Sequence, residues 1–159
     1  AAVVTVGAIH GGAASNVIPD SVEMKLTLRS FSARTREVLA ARVPALLTGV
    51  VQALGATAYI DYRPGFPAVV NHAAELRIAR EAALAALGEG AVLPTLAPRT
   101  ASEDFAWYLQ EVPGAFLFLG NGEGAPLHSP EYRFNDAILL PGATLWAALA
   151  EAFLSGDIQ

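Results

Sequence analysis

The chain has no cysteine, and its only lysine is Lys25 and its only methionine Met24. The missing cysteine excludes disulfides and thiolate metal sites, and it leaves the compartment undetermined. Charge is also scarce, at 16% of residues against about 25% in an average chain. The 10 basic residues are outnumbered by 15 acidic ones, giving a net charge of -5. No basic patch and no interleaving of basic with aromatic residues is present, which argues against nucleic-acid binding. No uncharged apolar run reaches 18 residues, so no membrane span is expected. Ala1 to Gly7 lacks the basic start and apolar middle of a signal peptide, and a cytoplasmic setting is the default expectation. What is abundant is apolar surface: 53% of the 159 residues are hydrophobic. Such a chain is not globally disordered. It fits one ordinary domain or two small pieces whose surface is meant to be covered.

Val3 to Ile9 is dense in β-branched residues and reads as a strand. It begins almost at residue 1 and without a Met, so the N-terminus is expected to be cut. His10 to Asn16 is a loop and Pro19-Asp20 a turn. Val22, Met24, Leu26 and Leu28 alternate with Glu23, Lys25, Thr27 and Arg29, which predicts a strand with one wet face paired with the first. Ser32 is an N-cap, followed by a helix with Leu39, Val43, Leu46, Val50 and Leu54 on one stripe. Pro44 predicts a kink or break near residues 40 to 44, and Gly55 ends the helix. Ala56 to Arg63 alternates again and reads as a third strand. The order β-β-α-β is most of a ferredoxin-like unit with its first strand and helix missing.

Pro64 to Pro67 is a linker by composition, which divides the chain into 1–66 and 67–159. Asn71 or His72 starts a helix carrying Leu76, Ala79, Ala83 and Leu87, ended by Gly88 and Gly90. Val92-Leu93 reads as a short strand and Pro94 to Pro98 as irregular. Ser102 is a second N-cap, with Glu103 and Asp104 in the first turn, where the helix dipole favours acid. Phe105, Leu109 and Val112 form the inner stripe of that helix, and Pro113-Gly114 stops it. Ala115 to Leu119 is a continuous apolar run, as in a strand buried on both faces. The Gly-rich loop Gly120 to Gly124 then delivers Leu127-His128-Ser129-Pro130. Pro141 suits the first turn of a last helix with Leu145, Leu149 and Phe153 inward. Trp107 and Trp146 read as core, and Glu123 and Asn135-Asp136 as loop and turn residues. The overall class is therefore α+β or α/β.

Four motifs resemble the C-terminal part of the hippurate hydrolase and N-acyl-amino-acid amidohydrolase family, dinuclear metal enzymes of the aminoacylase/carboxypeptidase type. They are Ala101-Ser102-Glu103-Asp104-Phe105, Val112-Pro113-Gly114-Ala115, Phe118-Leu119-Gly120 and Leu127-His128-Ser129-Pro130. The family usually has Met or a similar residue where this chain has Thr100. Val6 to Gly12, Asn16-Val17-Ile18-Pro19-Asp20 and Leu28-Arg29 are similar to the family's inserted lid, or dimerisation, domain. The resemblance implies a truncated ferredoxin-like lid over 1–66 and an α/β C-terminal portion of a metallopeptidase-like catalytic domain over 67–159. The family's N-terminal half, with the other metal ligands and the Glu general base, is absent, so no catalytic residue is expected within these residues.

The resemblance further implies that His128 is a metal ligand and that the parent holds two divalent ions: zinc, manganese or cobalt. Asn16 and Arg29 would hold the substrate's carboxylate or carbonyl, Arg29 through its planar fork. His10 would serve the reaction's oxyanion, in some relatives across a dimer. The expected partners are a small N-acyl amino acid and a second copy bound through the lid, with no nucleic acid and no membrane. The histidines are only His10, His72 and His128, far apart in sequence and without His-x-Asp or His-x-x-x-His spacing, so a complete metal site within the chain is not expected. This chain alone is therefore expected to be inactive. Two other readings stay open: a non-catalytic dimerisation or interaction module, and a small regulatory ligand-binding domain.

Overall fold

The computed structural model describes residues 1–93 and 95–155; of the irregular stretch expected over Pro94 to Pro98, Pro94 lies outside the described residues. The chain forms two compact units, Ala1–Ala68 with Pro98–Glu103, and Val69–Ala97 with Asp104–Gln159.

In the first unit, β1 (Ala2–His10) and β2 (Glu23–Ser30) pair antiparallel, from Ala2 opposite Ser30 to His10 opposite Glu23. The register shifts between Val6 and Ala8, an irregularity that locally bends and twists a strand. Leu26 and Leu28 are half-buried and Thr27 is exposed, as the alternation requires. Val22 and Met24 are exposed, so the inner face closes only at the end where β2 meets α1 (Ala33–Ala53). Ser32 caps α1 from an extended backbone, its Oγ accepting the Thr35 N–H at 3.2 Å. Such a cap stabilises a helix by about 1 kcal/mol. The inner stripe is Leu39, Val43, Leu47 and Val51, all half-buried. Leu46, Val50 and Leu54 are exposed instead, because strict four-residue steps track the face that β2 covers.

The expected break at Pro44 is absent, and α1 runs unbroken through it. One lost hydrogen bond does not outweigh the turns on either side. Arg36, in the first turns, donates to the Gly65 carbonyl and ties the following segment back to the helix. The third strand does not form. Residues 56–63 make no ladder among the described residues, and Tyr59 is 95% exposed. The β-β-α part of the ferredoxin-like reading is present and its last strand is not: alternation licenses a strand only where a neighbour offers an edge.

In the second unit, α2 (Ala73–Leu87) starts after His72 and ends at Gly88. Its buried residues are Ala79, Ala82 and Ala83, small side chains that let α4 (Leu139–Ser155) pack against it. Between them in the chain comes α3 (Phe105–Glu111), with Asp104 rather than Ser102 at its N-cap position and no side-chain cap hydrogen bond. It buries Ala106 (1% exposed) and Leu109 (7%) but leaves Val112 at 56%. The Ser102 hydroxyl instead accepts from Arg29 Nη1 at 3.4 Å, within the first unit.

The expected strands at Val92-Leu93 and Ala115 to Leu119 are not formed. Gly114 and Phe116 are held by side chains instead. Gly114 N–H donates to His72 Nδ1 at 3.2 Å, Phe116 N–H to Asn71 Oδ1 at 2.8 Å, and Asn71 Nδ2 to the Phe116 carbonyl at 3.0 Å. His72 therefore works as an acceptor through Nδ1. Leu117, Phe118 and Leu119 are exposed: a strand apolar on both faces needs neighbours on both edges, and none lies among the described residues. Trp107 and Trp146 are 48% and 74% exposed, so they are not core. Residues Asp136–Ser155 form a helical segment of 20 residues, apolar enough by length and composition to cross a membrane. It packs against α2.

Candidate functional site

The loop expected to carry the chemistry runs from Gly120 to Asn135 in the second unit. Its tip is a β-turn closed by the Ser129 N–H donating to the Pro126 carbonyl at 3.1 Å. His128 is the third residue of that turn, with φ 71°, and it is the one non-glycine with positive φ among the described residues. A turn with positive φ there favours Gly or Asn. A histidine in the left-handed region costs conformational energy, and such outliers cluster at functional sites. Ser129 Oγ also accepts the Glu131 N–H at 3.2 Å, and the Ser129 carbonyl accepts from Tyr132 at 3.0 Å. The chain after His128 is thus pinned by one serine, while the His128 side chain stays exposed.

The base of the loop is closed by two asparagines that composition alone marked as loop and turn residues. Asn121 Nδ2 donates to the Arg133 carbonyl at 2.9 Å, and Asn121 Oδ1 accepts the Asn135 N–H at 2.9 Å. Asn135 Nδ2 donates back to the Asn121 carbonyl at 3.2 Å, while its Oδ1 caps the next helical turn through Ala137 N–H at 3.1 Å. The available signal was an Asn at each end of a Gly-rich segment, since Asn side chains readily bond backbone groups.

The other three expected site residues lie in the first unit. His10 ends β1 and is exposed. Glycine follows it by necessity: a Cβ on Gly11 would stand 2.8 Å from Val22 Cγ2. Asn16 is exposed on the loop joining the strands, beside a shallow hollow lined by Gly12, Ala13, Val17, Ile18 and Pro19. Arg29 pairs with Val3 at the other end of the ladder, roughly 20 Å from His10 at the usual rise per residue. Its guanidinium donates to the Thr100 carbonyl and to Ser102 Oγ, holding residues 98–103 to the sheet. One arginine can do this and keep further N–H groups for an anion. The fold therefore groups His10 and Asn16 at one end of the hairpin and sets Arg29 at the other.

For a metal, the donor set is partial. Among the described residues no three His, Asp or Glu side chains gather into a group that could hold an ion. The exposed imidazole of His128 fits one ligand position.

Residues 3–152 match peptidase family M20/M25/M40. A probable hydrolase of Synechocystis is 37% identical over 145 residues, 88% of this chain and 37% of that protein. The N-acetyl-L-cysteine deacetylase of Bacillus subtilis is 34% identical, matching 98% of this chain and 37% of its own length. The hippurate hydrolase of Campylobacter jejuni is 31% identical over 96% of this chain and 40% of its length. The chain thus spans about two fifths of the curated relatives it matches. Among solved structures, the YXEP protein of Bacillus subtilis, described as a dinuclear metal binding peptidase from the M20 family, superposes with a TM-score of 0.81. It is 31% identical and matches 97% of this chain and 42% of that one. With nearly every residue matched and the fold shared, the chain belongs to peptidase family M20/M25/M40.

Proposed function

We propose that these residues are the lid and the C-terminal catalytic portion of a metal-dependent amidohydrolase that cleaves N-acyl amino acids of the hippurate type. The observation that carries this reading is His128, held in a left-handed turn on a loop tied at both ends. Family membership and relatives named for deacetylation and hippurate hydrolysis support it. In this reading His128 offers a neutral imidazole to one of two divalent ions, zinc, manganese or cobalt. When bound, such ions acidify a coordinated water and polarise the acyl carbonyl. Asn16 and His10 take the carbonyl oxygen and its developing charge, while Arg29, at the hairpin's other end, draws the anionic amino acid by its charge at longer range. The base that removes the water's proton and the remaining ligands come from residues outside these 159.

A second role belongs to the same lid. Val4, Val6 and Ile9 leave one face of β1 apolar and exposed, and a two-stranded sheet, with no further strand among the described residues, keeps both edges open. Both features support pairing with a second copy.

The test is hydrolysis of a panel of N-acyl amino acids, hippurate and N-acetylcysteine included, with zinc or manganese supplied. The longer protein carrying this chain is expected to turn over at least one member, and residues 1–159 alone none above background. A longer protein inert toward the whole panel refutes the amidohydrolase reading. Turnover by residues 1–159 alone refutes the shared site.

A further inference from the structure

We propose that Asn121 and Asn135 are positioning residues for His128: their clasp closes the loop so that the imidazole is presented in one place. The inference rests on the reading of His128 as a metal ligand and adds a function for two residues that touch neither metal nor substrate.

Asn121 and Asn135 stand 14 positions apart, and the segment between them contains Gly122, Gly124 and no strand or helix. Closing a flexible loop of that length costs entropy that grows as (3/2)RT ln n, so its base must be held by something. Here three bonds run directly across the base, from Asn121 to Arg133 and both ways between Asn121 and Asn135. A fourth, Asn135 to Ala137, ties the clasp to the turn leading into α4. Gly122, with φ 86°, lets the chain turn away immediately after Asn121, and a Cβ there would meet Asn135 Nδ2 at 3.6 Å. At the tip, the strained His128 backbone has to be over-determined by its surroundings to persist. The Ser129 bonds hold it from one side, and the clasp fixes both ends of the chain that delivers it. The amides must be intact: an aspartate at 121 keeps the acceptor for Asn135 N–H and loses the donor to Arg133.

The experiment uses the longer protein and Zn²⁺ as the probe, with affinity measured by chelator competition and amide hydrogen exchange followed at Asn135 and Ala137. Asn121→Ala and Asn135→Ala are each expected to weaken Zn²⁺ binding about 10- to 100-fold, the usual effect of losing a group that orients a ligand. Excess Zn²⁺ is expected to restore turnover, and exchange to speed up at the two amides and not in α2. Combined with His128→Ala, Asn121→Ala is expected to add no further loss, since it acts through the imidazole. If His128→Ala weakens Zn²⁺ binding while both asparagine variants bind normally, the clasp proposal is overturned and ligation by His128 stands. If His128→Ala itself binds normally, the ligand reading falls and takes the clasp with it. A loss from Asn121→Ala that persists undiminished beside His128→Ala also overturns the proposal. Should an alanine variant fail to fold, Asn121→Asp decides: it loses only the donor to the Arg133 carbonyl, so an intermediate loss of Zn²⁺ affinity is expected, and normal affinity contradicts the clasp's role.

Discussion

Replacing His128 with alanine in the longer protein is expected to lower metal affinity and N-acyl amino acid turnover by at least about 100-fold. That bound is set by groups that merely orient a ligand, whose loss costs 10- to 100-fold; a direct ligand cannot cost less. Stability in the metal-free state should hardly change, because the side chain is exposed and alanine inherits the same left-handed strain. His128→Asn sharpens the comparison. Asparagine tolerates positive φ better than most residues, so the turn closed by Ser129 and Pro126 is kept while the imidazole is lost. Loss of metal with an unchanged unfolding transition separates ligation from a structural role. Metal content near normal in both variants would show that His128 binds nothing.

The largest expected effect on stability lies at Leu109. It is the bulkiest of the buried side chains, at 7% exposure, and it sits on α3 beside Ala106. Gly114 approaches it so closely that a Cβ there would stand 3.2 Å from Leu109 Cδ2. Leu109→Ala removes the contents of that contact and leaves a cavity, which costs about 2–5 kcal/mol. That is a large share of a typical domain's 5–15 kcal/mol. Leu109→Met, nearly equal in volume, should cost less than about 1.5 kcal/mol. Denaturant unfolding of the longer protein reads both, and equal midpoints for the two variants would place Leu109 outside the core that secures α3.

The same residues explain what could be read from the chain before its fold. Ser32 was legible because a cap is local: its hydroxyl needs only the Thr35 N–H three positions on. Helix faces were legible in phase but drifted, since Leu47 and Val51 face inward where spacing alone admitted Leu46 and Val50. Strands were legible only in β1 and β2, which supply each other's edges. Residues 56–63 and 115–119 carry strand-like patterns, yet a ladder depends on a partner that local sequence does not name. Ser102 had the chemistry of a cap, but Arg29, distant in sequence, claimed its hydroxyl. Trp107 and Trp146 are apolar enough for a core and stand uncovered. The candidate site was legible at His128 through its motif. The positive φ that strains it and the Asn121–Asn135 clasp that steadies it depend on backbone geometry that no residue pattern specifies.

Metal binding by His128 is tested most directly by anomalous diffraction at the zinc edge from crystals of the longer protein. The prediction is an anomalous peak about 2.0–2.1 Å from an imidazole nitrogen of His128, the ordinary zinc–histidine distance. Fully occupied zinc peaks surrounded by other ligands, with His128 turned to solvent, would contradict it.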